Sequence, residues 1–120
     1  MTALDADTLA RLRADLESQR AHLRREIADQ GADPDSDEVE IDVERGFADS
    51  AHSTAERSRV LSVVRALRAN LRWVDRALGK LDHGGYGVCE RCGSEIGIER
   101  LEALPWAILC IRCKQAGERP

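Results

Sequence analysis

The sequence predicts a mainly α-helical protein, in which a long antiparallel coiled-coil hairpin is followed by a small four-cysteine zinc-finger domain with a short C-terminal helix. Aromatic residues make up 3% of the chain and charged residues 33%, a composition that suits the aliphatic seam of a coiled coil better than a broad globular core. Two long segments repeat aliphatic residues at helical spacing, and two cysteine pairs lie near the end. We therefore assign residues 1–83 to the hairpin and 84–120 to the finger.

The first helix is predicted over residues 4–30. Its aliphatic residues recur at or near a seven-residue period along one face, at Leu9, Leu12, Leu16, Leu23 and Ile27. Gly31 and Pro34 then supply the usual signals for the end of a helix.

The second helix is predicted over residues 49–82. Its seam alternates spacings of four and three residues, at Val60, Val64, Leu67, Leu71, Val74, Leu78 and Leu81. One connecting segment between two such stripes favours an antiparallel hairpin within a monomer, with homodimerisation through the seams as the alternative. Trp73 falls off the seam, so it either packs against the C-terminal segment or lies exposed for a partner.

The connecting segment, residues 31–48, is predicted to be an acidic tip loop. Seven of the twelve residues from Asp33 to Glu44 are acidic, which gives the segment a high local negative potential. A loop that only improves solubility is the plainer interpretation of most of these side chains.

The four cysteines are predicted to bind one structural zinc ion. Cys89 and Cys92 form one C-x2-C pair, and after seventeen intervening residues Cys110 and Cys113 form another, a spacing typical of closed tetrahedral zinc sites. Gly93 follows the first pair, where a positive φ is commonly required. Two disulfides are the competing interpretation, which a reducing cytosol disfavours.

Several classes of function are disfavoured by composition. A net charge of −4 argues against general affinity for nucleic-acid backbones. No apolar run approaches the ~18 residues of a membrane span, and the N-terminus does not resemble a signal peptide. A closed zinc site and no visible nucleophile–base pair argue against an enzyme. We therefore expect a non-enzymatic cytoplasmic protein, with a zinc-ribbon nucleic-acid binder and a thiol or zinc redox sensor as alternatives.

The stretch YGVCERCGSEIGIERLEALPWAILCIRCK at 86–114 closely resembles the zinc finger of the DksA/TraR family of bacterial transcription regulators. The residues that match the family's pattern are Tyr86, Gly87, Cys89, Cys92, Gly93, Ile96, Arg100, Leu101, Ala103, Pro105, Cys110 and Cys113. The resemblance extends upstream through the second helix, over roughly residues 46–118.

That resemblance implies RNA polymerase as the partner, without direct sequence-specific DNA binding. Members insert their coiled-coil tip into the secondary channel of the polymerase and modulate initiation, in some cases in the stringent response. The family's Asp-x-Ala tip element aligns with Asp49 and Ala51, with Phe47 beside it as a further contact residue. Asp49 is also a candidate N-cap for the second helix, and both roles can hold at once. Gly46 stands where members usually carry a second tip aspartate.

The resemblance also implies the alarmone ppGpp as a ligand, held by basic side chains on the second helix and beside the finger. Here Leu104 replaces the family's arginine and Trp73 its lysine, while Lys114 remains as a contact. Both a ppGpp-dependent and a ppGpp-independent regulator therefore stay open.

Overall fold

The structure, a computed structural model, describes residues 4–47 and 53–117. Within these ranges it contains five α-helices: α1 (Ala6–Asp29), α2 (Val39–Phe47), α3 (Thr54–His83), α4 (Ile98–Ala103) and α5 (Ile111–Gln115). The one β pairing in the described chain is an isolated bridge between Val88 and Glu95. The prediction of a mainly α fold with a four-cysteine finger and a short C-terminal helix is confirmed. None of the described helices is both long and apolar enough to cross a membrane.

The described residues form two compact units. The finger unit contains those up to Gln19 and those from Trp73 onward, and the helical unit contains those within Arg20–Arg72. Both α1 and α3 therefore contribute to each unit, so the compact units do not divide at residue 83, where the sequence places the domain boundary.

The core of the helical unit combines the end of α1, the whole of α2 and the first half of α3. Its buried members are Ile27, Ala32, Val43, Phe47, Val60, Val64 and Leu71. Four of these lie on the two predicted seams, which accordingly face each other. Burying an aliphatic side chain of this size contributes about 1.5–3 kcal/mol.

The second half of the predicted acidic loop is instead a helix. The loop predicted over residues 31–48 ends at Glu38, and α2 occupies Val39–Phe47. Val39, Val43 and Phe47 are spaced four residues apart, so they form one apolar face that packs into the core of the helical unit. Acidic side chains in the first turn also favour the helix dipole. The four-residue spacing of these apolar side chains is hard to recognise in the sequence because carboxylates surround them.

The backbones of α2 and of the turn after α1 approach each other closely at two glycines. Gly31 has a φ of +85°, a conformation that favours glycine. A Cβ added at Gly46 would lie 3.1 Å from the carbonyl oxygen of Gly31 and 3.3 Å from its Cα. A side chain at position 46 would therefore press on this backbone, and glycine suits the contact.

The third helix begins later than the sequence predicts. Ser53 is not helical, and α3 starts at Thr54. The Ser53 hydroxyl oxygen accepts a hydrogen bond from the backbone N–H of Glu56 at 3.1 Å, and its carbonyl accepts one from Arg57 at 3.0 Å. Ser53 thus has the role of N-cap, which corrects the prediction that the helix starts at Asp49.

The core of the finger unit joins the zinc finger to the first turns of α1 and the last turns of α3. Its buried members are Leu12, Cys89, Ile96, Leu101, Ala107, Ile108, Leu109, Cys110 and Cys113. Trp73 and Tyr86 are partly buried against it, and the Tyr86 hydroxyl donates to the carbonyl of Pro105 at 2.8 Å. The finger therefore shares its core with both long helices.

Candidate metal centre

Two tight turns supply the four cysteines. The first turn carries Cys89 and Cys92 and closes with a hydrogen bond from the N–H of Gly93 to the carbonyl of Cys89 at 3.0 Å. Gly93 has a φ of +78°, which confirms the expectation for this position. Cys110 is the N-cap residue of α5 and Cys113 lies in its first turn, so a short helix orients the second pair.

The spacing of the sulfurs fits a single zinc ion. All four Sγ atoms lie within 4.8 Å of one another, and those of Cys92 and Cys110 are 3.7 Å apart. A tetrahedral ion with Zn–S bonds of ~2.3 Å holds its sulfurs ~3.8 Å apart. A disulfide requires about 2.05 Å between sulfurs, and all four cysteines are free thiols. The competing disulfide interpretation is therefore wrong.

The surroundings of the thiols shift their pKa values in different directions. Burial raises the pKa of Cys89, but backbone N–H groups of Cys92, Cys110 and Arg91 outweigh it and lower that pKa to about 6. Burial, and then the neighbouring sulfurs, raise the pKa of Cys113 to about 12. Four thiolates this close repel one another, so they need a cation between them. Zinc supplies it, and the four cysteines form a C4-type zinc site.

An ion-pair cluster fastens the first cysteine turn to α3. The Glu90 carboxylate accepts hydrogen bonds from Arg76 at 2.9 and 2.5 Å, and the Lys80 Nζ lies 3.2 Å away. Arg76 is the main reason that the pKa of Glu90 lies below its usual range. Sequence reasoning missed Glu90, because nothing in the sequence says which of its many carboxylates faces the basic residues of α3.

The arrangement of the site suits a structural zinc ion that stabilises the finger. Cys89, Cys110 and Cys113 are buried, and Cys92 lies at the surface. Four thiolates complete a tetrahedron and leave no position for water or substrate. Structural zinc sites of this kind contribute about 10–16 kcal/mol of apparent binding free energy at neutral pH.

The other residues singled out in the sequence lie in different surroundings. Trp73 packs against the finger core, the first of its two predicted alternatives, and Lys114 is exposed on α5. Phe47 is 6% exposed, and the guanidinium of Arg57 lies 5.7 Å from its ring centroid. Its visible role is packing, and contact with a partner stays a prediction. Asp49 and Ala51 lie outside the described residues.

Comparison with known proteins places this site in a family. Residues 84–119 match the family model described as the prokaryotic dksA/traR C4-type zinc finger. Over 51 residues, the chain is 49% identical to the RNA polymerase-binding transcription factor DksA of Haemophilus influenzae and 47% identical to that of Escherichia coli. The matched stretch is 42% of this chain, and it spans only about a third of those relatives, 35% and 34% of their lengths.

The likeness extends beyond the finger in three dimensions. The structure of transcription factor DksA2 from Pseudomonas aeruginosa superimposes with a TM-score of 0.72 and 26% sequence identity, over 94% of this chain and 84% of that one. Residues 84–119 therefore carry a zinc finger of the dksA/traR C4 type, in a chain whose fold is similar to that of the transcription factor DksA2.

Proposed function

We propose that this protein is a bacterial transcription regulator that binds RNA polymerase and inserts the tip of its helical hairpin into the secondary channel to modulate initiation. The observation that supports this most strongly is the zinc finger shared with factors named for polymerase binding. The fold shared with the transcription factor DksA2 supports it independently. The function is non-enzymatic, and its place is the cytoplasm, where RNA polymerase works.

The residue proposed to act at the tip is Asp49, with Ala51 beside it. Ser53 has the role of N-cap of α3, so this helix does not need Asp49 for its cap. We propose that the Asp49 carboxylate meets a cationic or Mg²⁺-bearing group of the polymerase. Phe47, which ends α2, contributes to the core of the helical unit.

The chain has few basic side chains at the positions where the resemblance implies ppGpp binding. Recognition of phosphate groups in proteins relies on clustered arginine or lysine side chains. Trp73 and Leu104 pack against the finger core at two positions where the family carries basic residues, and Lys114 is the basic side chain that remains. We therefore propose that ppGpp adds little to the effect of this protein on transcription. A role of the protein in the stringent response would then not depend on binding ppGpp.

Transcription from a ribosomal RNA promoter by purified bacterial RNA polymerase tests the proposal, with and without ppGpp. We expect zinc-loaded wild type to change the amount of transcript and Asp49→Asn to lose that effect while it still binds the polymerase. Asp37→Asn is the matched control, since Asp37 is an exposed carboxylate of the same acidic segment. An Asp49→Asn protein as active as wild type would contradict the role of the tip aspartate.

A further inference from the structure

Asp42 of α2 and Arg68 of α3 form a buried ion pair in the helical unit. The carboxylate and the guanidinium are 2% and 3% exposed, and Arg68 donates one hydrogen bond to Asp42 and another to the carbonyl oxygen of Ser36. One arginine therefore fixes both α2 and the segment that leads into it. The Nε of Arg68 finds no hydrogen-bond acceptor in the described part of the chain. The ion pair is therefore buried although one of its donors is unsatisfied.

Two other ion pairs link the same helices, and both are exposed. Glu40 and Arg65 lie 2.8 Å apart with side chains 73% and 55% exposed, and Glu44 and Arg57 lie 3.8 Å apart at the surface. Exposed pairs of this kind contribute little, because solvent screens them. The buried pair is different, since a partner shifted by one helical position would leave a charge inside the core without its counter-charge.

The apolar contacts of α2 specify its position less strictly than the buried ion pair does. Val39, Val43 and Phe47 are attracted to the core by burial, which has no preferred direction. A buried polar pair is the device by which helix assemblies commonly fix register. The close contact of Gly46 with Gly31 points the same way, because a shift of one residue would bring a side chain onto that backbone.

We propose that Asp42 and Arg68 are positioning residues that hold α2 in a single register. That register determines where α2 ends at Phe47. The next part of the sequence, up to Ser53, carries Asp49. The consequence for transcription rests on the proposed function, whereas the register itself does not.

The first test is a pair of double variants of the full zinc-loaded chain, compared by ¹H–¹⁵N correlation spectra. Asp42→Leu with Arg68→Met replaces the buried pair by apolar groups of similar size, which commonly keeps or raises stability. We expect it to stay folded but to show several resonances, or broadened ones, for amides of Val39–Phe47. Glu40→Leu with Arg65→Met makes the same chemical change at the exposed pair and is expected to keep one sharp set.

Arg68→Lys is a second variant, for use if the double variant does not fold. It keeps the positive charge but removes the guanidinium that bonds to both Ser36 and Asp42, and it is expected to broaden the same amide resonances. One sharp set of α2 resonances at wild-type positions, in whichever of these variants folds, would overturn the proposal.

The second test measures transcription with the same variants. We expect the buried double variant to need at least about tenfold more protein than wild type or the exposed control for the same effect, because functional groups must be held within about 0.5 Å. Wild-type potency despite mixed registers would overturn the link to function. If wild type itself has no effect on the polymerase, the proposed function fails, and the spectra still decide the register.

Discussion

Gly46 stands at the position where the resemblance predicts a second tip aspartate, and the structure shows a packing constraint there. A side chain at position 46 would press on the backbone of Gly31. The close approach of α2 to this turn therefore disfavours any side chain at that position.

Gly46→Ala and Gly79→Ala test this reasoning as a matched pair in helices. Replacing glycine by alanine inside an exposed helix stabilises it by about 1 kcal/mol, and a Cβ at Gly79 meets nothing within 4 Å. We expect Gly79→Ala to gain roughly that amount, and Gly46→Ala to lose about 1–3 kcal/mol through overpacking. Urea unfolding measures both. A gain at position 46 equal to that at 79 would mean that the glycine contact is unimportant.

At the level of single residues, the metal ligands are readable from the sequence and the buried ion pair is not. The spacing of the cysteines identifies all four ligands, since little else explains two such pairs in a short chain. Asp42 and Arg68 are 26 positions apart, and each belongs to a run of similar charged residues. Which carboxylate turns inward depends on the packing of α2, a tertiary feature that charge patterning does not contain.

Among the helices, the long ones follow from their periodicity and the short α2 does not. The aliphatic seams of α1 and α3 persist over several turns, so their period is clear. In α2 only three apolar residues carry the period, and four charged side chains lie among them. The helix is stabilised by burial against its neighbours more than by its own sequence, and the acidic composition therefore led to a predicted loop.

The start of α3 gives a prediction at the scale of the element. We expect Ser53→Ala to lower the free energy of unfolding by about 1 kcal/mol, because it removes the acceptor for the N–H of Glu56. Ser58→Ala, at an exposed position inside the same helix, is the control and is expected to be neutral or slightly stabilising. Chemical denaturation followed by circular dichroism compares them, and equal effects would remove Ser53 from the role of cap.

For the whole molecule, zinc is expected to stabilise the finger unit and to matter less for the helical unit. The buried core of the helical unit contains no residue of the finger, whereas the finger core contains three of the zinc ligands. Both tryptophans of the chain, Trp73 and Trp106, belong to the finger unit. Tryptophan fluorescence therefore reports that unit alone.

Chelation of the zinc should accordingly change tryptophan fluorescence before it removes the helical signal of Val39–Phe47 in amide spectra. Acidification should release the metal as well, because zinc binds thiolates and a fall in pH protonates them. Burial and the neighbouring sulfurs raise the pKa of Cys113 to about 12, so its thiolate depends on the ion. Simultaneous loss of both signals on chelation would show instead that the two units fold as one.

Direct binding to RNA polymerase is the first measurement to make. A fluorophore on the N-terminal amine leaves the four cysteines to the metal, and anisotropy is followed as bacterial core polymerase is added. We predict saturable binding that Asp49→Asn retains, and that unlabelled DksA from Escherichia coli displaces by competing for the same channel. No binding by folded, zinc-loaded protein, or binding that DksA fails to displace, would contradict a regulator that works through the secondary channel.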